Sequence, residues 1–416
     1  MALPAEGMAT AEVVEALLAK RGRDVRWREG RAFSLVYDGG PAVHEVCEAV
    51  AAMFLHENAL NTAAFPSLGE IQAEVVAATA DLLHAPPTAA GFLTSGGTES
   101  ILVAVLGARE RARAERGVTE PRMVVADSAH AAFHKAAHCF GVAVDTVPVG
   151  PDFRADVDAM ADAVDDRTVL VVGSAPQYPQ GVIDPVPALA AVAAEVGASF
   201  HVDACMGGFV LPFMELLGHE VAPWDFRVDG VTSISADVHK LGYAPKGASV
   251  ILHRTRELRR YQTFVFDGWL GGRYASPNLQ GTRPALPMAT AWAVMHHLGI
   301  DGYKALTATT LDAARRMVDG VRAVDGLRVL GEPDAHLVAT AAAPGERPVD
   351  VFAVGDALAR RGWFLDRQGP PDSLHATVSA GNAPVIGAYL DDLAAAVDEV
   401  AGRTAADRST SYATLE

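Results

Sequence analysis

The sequence predicts an α/β protein, with a large domain on a mostly parallel sheet followed by a smaller α+β domain. Three observations carry this. Between residues 92 and 252, short apolar runs alternate with helical stretches, the pattern of strands covered by helices on both faces. Beyond about residue 285 the style shifts, with two long helical stretches first and strand candidates after them. The chain of 416 residues is long enough for a large core and a second, smaller one.

The elements follow in order. Over residues 9–21, Ala, Val and Leu recur at helical spacing up to Lys20-Arg21. Gly39-Gly40-Pro41 breaks the chain, and helical patterns follow over 42–56 and 70–84. The stretch from Asn58 to Gly69 between them reads as a loop, and Pro86-Pro87 stops the second helix. Strand-like runs are Phe92–Thr94, Met123–Ala126, Ala143–Val147, Val169–Gly173, Ser199–Val202, Val231–Ser235 and Ala248–Leu252. Helices are expected over 99–116, 131–140, 155–164 and 187–197, then over 285–298 and 303–324. The smaller unit carries strand candidates 327–330, 337–341, 363–366 and 374–378 and helices 349–361 and 384–402. The expected division is an N-terminal helical arm over 1–60, a large domain over 61–295, a small domain over 296–402 and a loose polar tail over 403–416.

Composition narrows the function classes. The formal net charge of −17 argues against general nucleic-acid or anionic-membrane binding. Cys47, Cys139 and Cys205 are few, odd in number and without paired spacing, so no disulfide framework or zinc site is expected. Met1–Lys20 lacks the basic and apolar regions of a signal peptide, and no run is long enough to span a bilayer. A cytoplasmic protein with no membrane anchor and no metal is the expectation.

Four stretches carry chemistry. In Ser233-Ile-Ser-Ala-Asp-Val-His-Lys240 a lysine follows a strand end, where it can hold a carbonyl cofactor as a Schiff base. In Thr94-Ser-Gly-Gly-Thr-Glu-Ser100 glycines follow a strand and open a helix. Ser95, Gly96, Gly97 and Thr98 can bind a phosphate there, or the segment is an ordinary capped helix start with Glu99. It is no Walker motif, because no Gly-Lys-Ser/Thr follows. In His201-Val-Asp-Ala-Cys-Met-Gly-Gly208, Asp203 ends a strand and can pair with a protonated pyridine nitrogen, or merely cap a helix. His130, after the strand Met123–Ala126, can stack on a cofactor ring or serve as a cap or core histidine. Together the four describe a pyridoxal phosphate site. Lys246 can bind an anionic group on the substrate, and Gly281-Thr282-Arg283-Pro284 offers a hydroxyl and a guanidinium near a turn; each can equally be plain surface.

These stretches resemble the sphingosine-1-phosphate lyase family, within the group II pyridoxal phosphate-dependent decarboxylases. The resembling text includes Phe92-Leu-Thr-Ser-Gly-Gly-Thr-Glu-Ser-Ile101, Ser128-Ala-His-Ala-Ala-Phe133, the run Pro179–Pro187 and His201–Phe209. It continues through Asp225–Gly247 and Tyr274-Ala-Ser-Pro277 to Gly281-Thr-Arg-Pro284, covering residues 35–300 in family order. The resemblance implies fold type I, with a seven-stranded sheet, a small C-terminal domain and a homodimer with shared sites. It implies that Lys240 bonds the cofactor, Asp203 pairs with the pyridine nitrogen, His130 stacks on the ring, and Gly96, Gly97 and Thr98 bind the phosphate. It puts His239 beside Lys240, Ser174 near the ring oxygen, and Gly281 and Thr282 on the neighbouring subunit's phosphate. Tyr37 and Lys246 match positions near the substrate. Two departures stand out. The family's Asn-Pro-Leu-His is here Asn58-Ala-Leu-Asn61, and its Gly-Ser-Arg-Pro-Gly is Gly281-Thr-Arg-Pro-Ala285. Asn58, Asn61 and Arg283 join Tyr37 and Lys246 as candidate substrate contacts.

The expected function is carbon–carbon cleavage of an amino alcohol phosphate or related β-hydroxy amine. The substrate amine displaces Lys240, a base (Lys240 or Tyr37) takes the β-hydroxyl proton, and Cα–Cβ breaks to release an aldehyde. The rivals are an amino-acid α-decarboxylase, a specialised-metabolite enzyme of the same fold, an aminotransferase, and a non-catalytic cofactor-binding protein. The full set of Lys240, Asp203 and His130 argues against the last.

Overall fold

The computed structural model describes residues 3–345, 348–410 and 412. Seven strands form the central sheet: β1 (Ala90–Thr94), β2 (Arg122–Ala126), β3 (Ala143–Val147), β4 (Thr168–Ser174), β5 (Ser199–Asp203), β6 (Ser233–Ala236) and β7 (Ser249–His253). Their order is β1-β7-β6-β5-β4-β2-β3. β7 runs antiparallel to both its neighbours, whereas β2 through β6 pair in parallel. The connection from β6 to β7 is a short turn-rich loop with no crossover helix, so β7 must come back antiparallel. β4, β5 and β6 are buried along their whole length, as their mostly apolar, small-residue text requires under two helical layers.

This topology brings the carboxyl ends of β1, β2, β5 and β6 to one edge. Residues 94–98, 127–130, 203–205 and 237–240 therefore meet there, where open α/β sheets bind ligands.

A hairpin of β8 (Phe264–Phe266) and β9 (Tyr274–Ser276) projects beyond the sheet. The smaller domain carries an antiparallel sheet of β10 (Leu327–Val329), β11 (Leu337–Ala342), β12 (Asp366–Gln368) and β13 (Ser373–Thr377), in the order β10-β11-β13-β12. The two helices expected after residue 285 form one run, Ala285–Ala323, kinked at Gly299, whose φ of 55° and ψ of −173° only glycine adopts readily. The expected helix over 384–402 starts as a 3₁₀ turn, Ala380–Val385, and becomes α-helical over Ile386–Glu399. The strand expected at 363–366 is shifted to β12, because Phe364 instead pairs with the N-terminal segment through Phe33 N–H to Phe364 O and Phe364 N–H to Arg31 O. The short helices Leu211–Leu216 and Arg256–Arg260 and the hairpin have no counterpart in the predicted elements.

The N-terminal segment thus contributes to the smaller domain's core. Phe33 is fully buried, stacks on Trp363 at 5.9 Å and meets Tyr389 edge-on at 4.8 Å between ring centroids. Truncating Phe33 to alanine is expected to cost about 3–5 kcal/mol of stability, read as a lower midpoint in urea unfolding.

Residues 403–410, expected to be loose, lie along the smaller domain. Arg408 pairs with Asp350 at 2.6 Å and with Asp372, and the Ala405 N–H donates to Asp350. A polar sequence gives no sign of such docking. The remaining tail positions, 411 and 413–416, lie outside the described residues. Among the described residues no helix is long and apolar enough to cross a membrane.

Candidate active site

The strand ends enclose a cavity of about 250 Å³ lined by Ser95, Gly96, Gly97, Thr98, His130, Asp203, His239 and Lys240. Eight residues proposed from the sequence therefore share one space. Each arrives there for a local reason.

The helix Gly97–Arg116 begins at the cavity wall, so its first N–H groups are available to an anion. A Cβ on Gly97 would lie 2.8 Å from both an Asp237 oxygen and the Cys205 sulfur, so only glycine fits. Glu99 accepts from the Ser95 N–H at 2.7 Å and from its hydroxyl at 2.8 Å. No side chain caps this helix, whose N-cap is Gly96; Glu99 instead holds Ser95 in place, and Ser95, Gly96, Gly97 and Thr98 all line the cavity. The other oxygen of Glu99 takes the Leu279 N–H and ties the helix start to the loop that leads to Gly281.

His130 Nδ1 accepts from the Ala132 N–H at 3.1 Å, which leaves the ring proton on Nε2 in the neutral form. Burial lowers its pKa, and Lys240 adds to this against the pull of Asp203. Asp203 Oδ1 accepts from the Cys205 N–H at 3.0 Å and the Ser235 hydroxyl at 3.2 Å, which fixes the carboxylate at the cavity wall. His239 Nδ1 accepts from the N–H groups of Gly247 and Ala248, each at 3.1 Å.

Lys240 Nζ sits 2.9 Å from Asp237 Oδ2. Burial would lower the lysine, but Asp237, with Cys205, Tyr412 and Tyr37, outweighs it and raises the pKa well above the usual value. Asp237 moves the other way: burial is overcome by Lys240 and His239, and its pKa is lowered.

Tyr37 and Lys246 form a pair beside the cavity. The Lys246 ammonium lies 4.3 Å from the centre of the Tyr37 ring and donates to the His239 carbonyl at 2.7 Å. Desolvation by the protein crowded around its amine, then repulsion from Lys240, lowers Lys246 to about 7, although the residue as a whole keeps an exposed surface. Burial raises Tyr37 to about 12.

The other expected residues stand apart. Ser174 is buried at the end of β4, its N–H held by Asp184 at 2.7 Å, and it does not line the cavity. Gly281 and Thr282 are exposed on the loop after β9. Arg283 is already engaged, by Gln72 and the Ala59 carbonyl at 2.8 Å each. Asn58 and Asn61 accept from the N–H groups of Leu60 and Ala63 and stabilise their own loop.

Sequence reasoning missed other cavity residues, among them Asp237, Cys205, Tyr178 and Tyr412, which carry polar or titratable groups. Asp237 stands three before Lys240, a spacing that could have flagged it. Tyr178 donates to Asp366 at 2.8 Å, and its ring lies 4.0 Å from that of His375. Tyr412 meets His130 edge-on at 5.0 Å and Tyr178 at 5.3 Å. Nothing in the polar tail signals that contact.

The donor set fits pyridoxal 5′-phosphate: an amine for its carbonyl, a carboxylate for its ring nitrogen, and a helix start that only glycine at 97 leaves open. Residues 26–341 match the pyridoxal-dependent decarboxylase conserved domain. The chain belongs to the pyridoxal-dependent decarboxylase family, and is a pyridoxal phosphate-dependent lyase.

Within that family its relatives include sphingosine-1-phosphate lyases. It is 41% identical to the sphingosine-1-phosphate lyase of Arabidopsis thaliana, over 96% of this chain and 74% of that one. It is 40% identical to that of Oryza sativa, over 96% and 74%. The solved sphingosine-1-phosphate lyase of Burkholderia pseudomallei superposes with a TM-score of 0.91 at 41% identity, covering 96% of this chain and 92% of that one. Lactobacillus brevis glutamate decarboxylase shares the fold, with a TM-score of 0.84 at 23% identity.

Proposed function

We propose that this chain cleaves the Cα–Cβ bond of sphingosine 1-phosphate or a closely related amino alcohol phosphate. The observation that carries this reading is the single cavity holding Lys240, Asp203, His130 and the glycine-opened helix, in a chain 41% identical to such lyases over nearly its full length. When bound, the cofactor supplies an electron sink for the charge left at Cα.

This chain's residues do the rest. Lys240 bonds the cofactor when free of substrate. Asp203 holds the ring nitrogen's proton, His130 covers the ring face, and Gly96, Gly97 and Thr98 bind the phosphate at the helix start. His239 braces the turn that carries Lys240. Tyr37 and Lys246 face the substrate. Their protonation states divide the work. Tyr37, raised to about 12, and Lys240, held charged by Asp237, keep their protons near neutrality and act as donors. Lys246, at about 7, is the group able to accept the β-hydroxyl proton. The neutral amine grows as pH rises through 7, so kcat is expected to climb across that range. Lys246→Arg, which stays charged, should lose that limb of the pH–rate profile.

The protein acts as a homodimer in this reading. The hairpin and its turn expose Phe264, Phe266, Trp269 and Leu270, and the next loop exposes Gly281 and Thr282, which would reach the neighbouring phosphate site. Trp269→Asp with Leu270→Asp is expected to shift the sedimenting species from dimer to monomer. A cytoplasmic location fits the three unpaired cysteines.

The test is mass spectrometry of products after incubating cofactor-loaded protein with sphingosine 1-phosphate, with Lys240→Ala as control. A long-chain aldehyde with phosphoethanolamine, absent in the control, supports the reading; no turnover sinks it. One rival has support of its own. The chain is 30% identical to a probable L-aspartate decarboxylase of Pyrococcus abyssi, over 87% of its length. Carbon dioxide released from an amino acid would favour that reading.

A further inference from the structure

Two buried carboxylates end neighbouring strands, Asp203 on β5 and Asp237 one residue beyond β6. Their surroundings differ. Asp203 is held by an N–H and a hydroxyl, both neutral donors. Asp237 faces a cation instead: Lys240 Nζ at 2.9 Å, with the ring Nε2 of His239 further off at 3.6 Å. The backbone enforces the first contact. Lys240 N–H bonds Asp237 O at 3.3 Å and Tyr243 N–H bonds Lys240 O at 2.9 Å, so a tight turn folds the amine back onto the carboxylate. The absence of a side chain at Gly97 leaves the carboxylate its space.

We propose that Asp237 is the positioning residue for Lys240, its carboxylate holding the amine as a fixed ammonium whenever the lysine is free. This rests on the reading of Lys240 as the cofactor lysine. An ammonium has no lone pair. To bond the cofactor's carbonyl carbon, Nζ must first release one proton; the C=N bond then forms as the carbonyl oxygen leaves as water. Asp237 opposes that first loss. When a substrate amine later takes the lysine's place, the freed Nζ takes up the proton that the substrate ammonium gave up to attack, and Asp237 holds the resulting ammonium in position.

The other groups around Nζ do not supply this charge. Cys205 is a thiol whose pKa burial raises, and the Tyr37 and Tyr412 phenols are raised likewise. His130, Lys246 and His336 face Lys240 from other elements and can only add positive charge. Among the described residues, Asp237 is the one carboxylate within ion-pair distance of Nζ.

The test uses wild-type apoprotein with Asp237→Asn, Asp237→Ser and Asp237→Glu. Each is mixed with pyridoxal 5′-phosphate across a pH series and reduced with borohydride. The initial rate of pyridoxyl attachment to the Lys240 peptide is read by mass spectrometry, and folding is checked by circular dichroism. For Asn and Ser the rate profile is expected to move at least about one pH unit lower, a tenfold loss of proton affinity, while Glu stays near wild type. Coincident wild-type, Asn and Ser profiles would overturn the proposal. Should the neutral variants not fold, the wild-type profile decides. It is expected to climb about tenfold per pH unit through pH 9, and a plateau below pH 8 would overturn the proposal. Wild type that never carries pyridoxyl on Lys240 would instead sink the reading of Lys240 as the cofactor lysine.

Discussion

With Lys240 as the proposed cofactor lysine, Lys240→Ala is expected to lower turnover by on the order of 10⁴-fold or more. The visible absorbance of the bound cofactor should also be lost. This substitution has a second consequence, in stability. Asp237 is left buried without its ammonium, and breaking a buried pair from one side costs about 3–5 kcal/mol. The sign of the pH dependence then changes. In the native protein Asp237 has a lowered pKa, so its contribution is present above the unfolded carboxylate value and lost only as pH falls through the lower folded one. Without Lys240, burial dominates and the folded pKa rises above the unfolded value. The variant should therefore gain stability as pH is lowered from 7 towards 5, in urea melts where the native protein gains none from this pair. A variant that lost activity but kept the native pH dependence of stability would separate the catalytic role of Lys240 from its pairing with Asp237.

Much of this site could be read from the chain because the fold converts local signals into convergence. Lys240, His130 and Gly96-Gly97 each follow a strand and Asp203 ends one, and parallel strands deliver their carboxyl ends to one edge. The strands themselves were visible as short apolar runs, since burial on both faces requires them. What stayed hidden depends on contacts with no local signature. Phe33 enters the smaller domain's core from hundreds of residues away in sequence, paired with Phe364. Tyr412 reaches His130 from a tail whose text is mostly polar and small. The hairpin at 264–276 exposes its aromatic residues on the single chain, so no inward-outward alternation marks it. Gly299 falls between the two helices expected after residue 285, yet the hydrogen-bonded run passes through it with a kink. Asn58 and Asn61, expected near the substrate from the resemblance, and Arg283 are already engaged by loop and guanidinium bonds.

Asp203→Asn is the second large effect, expected to lower kcat by about 10²–10³-fold with little change in KM. The asparagine has the same shape. Its side-chain oxygen can still accept from the Cys205 N–H and the Ser235 hydroxyl, so the sheet edge should stay intact and thermal unfolding should move little. What disappears is the negative charge beside the ring nitrogen. A neutral amide does not keep that nitrogen protonated, and the ring then draws electrons from Cα less strongly. In the proposed reading, where Lys246 and Tyr37 face the substrate, substrate binding should be spared. Steady-state kinetics check the split between kcat and KM. The comparison with Asp237 gives the result its meaning. Asp203→Asn should leave the pH profile of cofactor attachment to Lys240 where it is, because Asp203 makes no ion pair with Nζ, whereas Asp237→Asn should move it. If both variants moved that profile alike, the two carboxylates would act on Lys240 as one field. If only Asp237→Asn moves it, one acid serves the ring and the other serves the lysine.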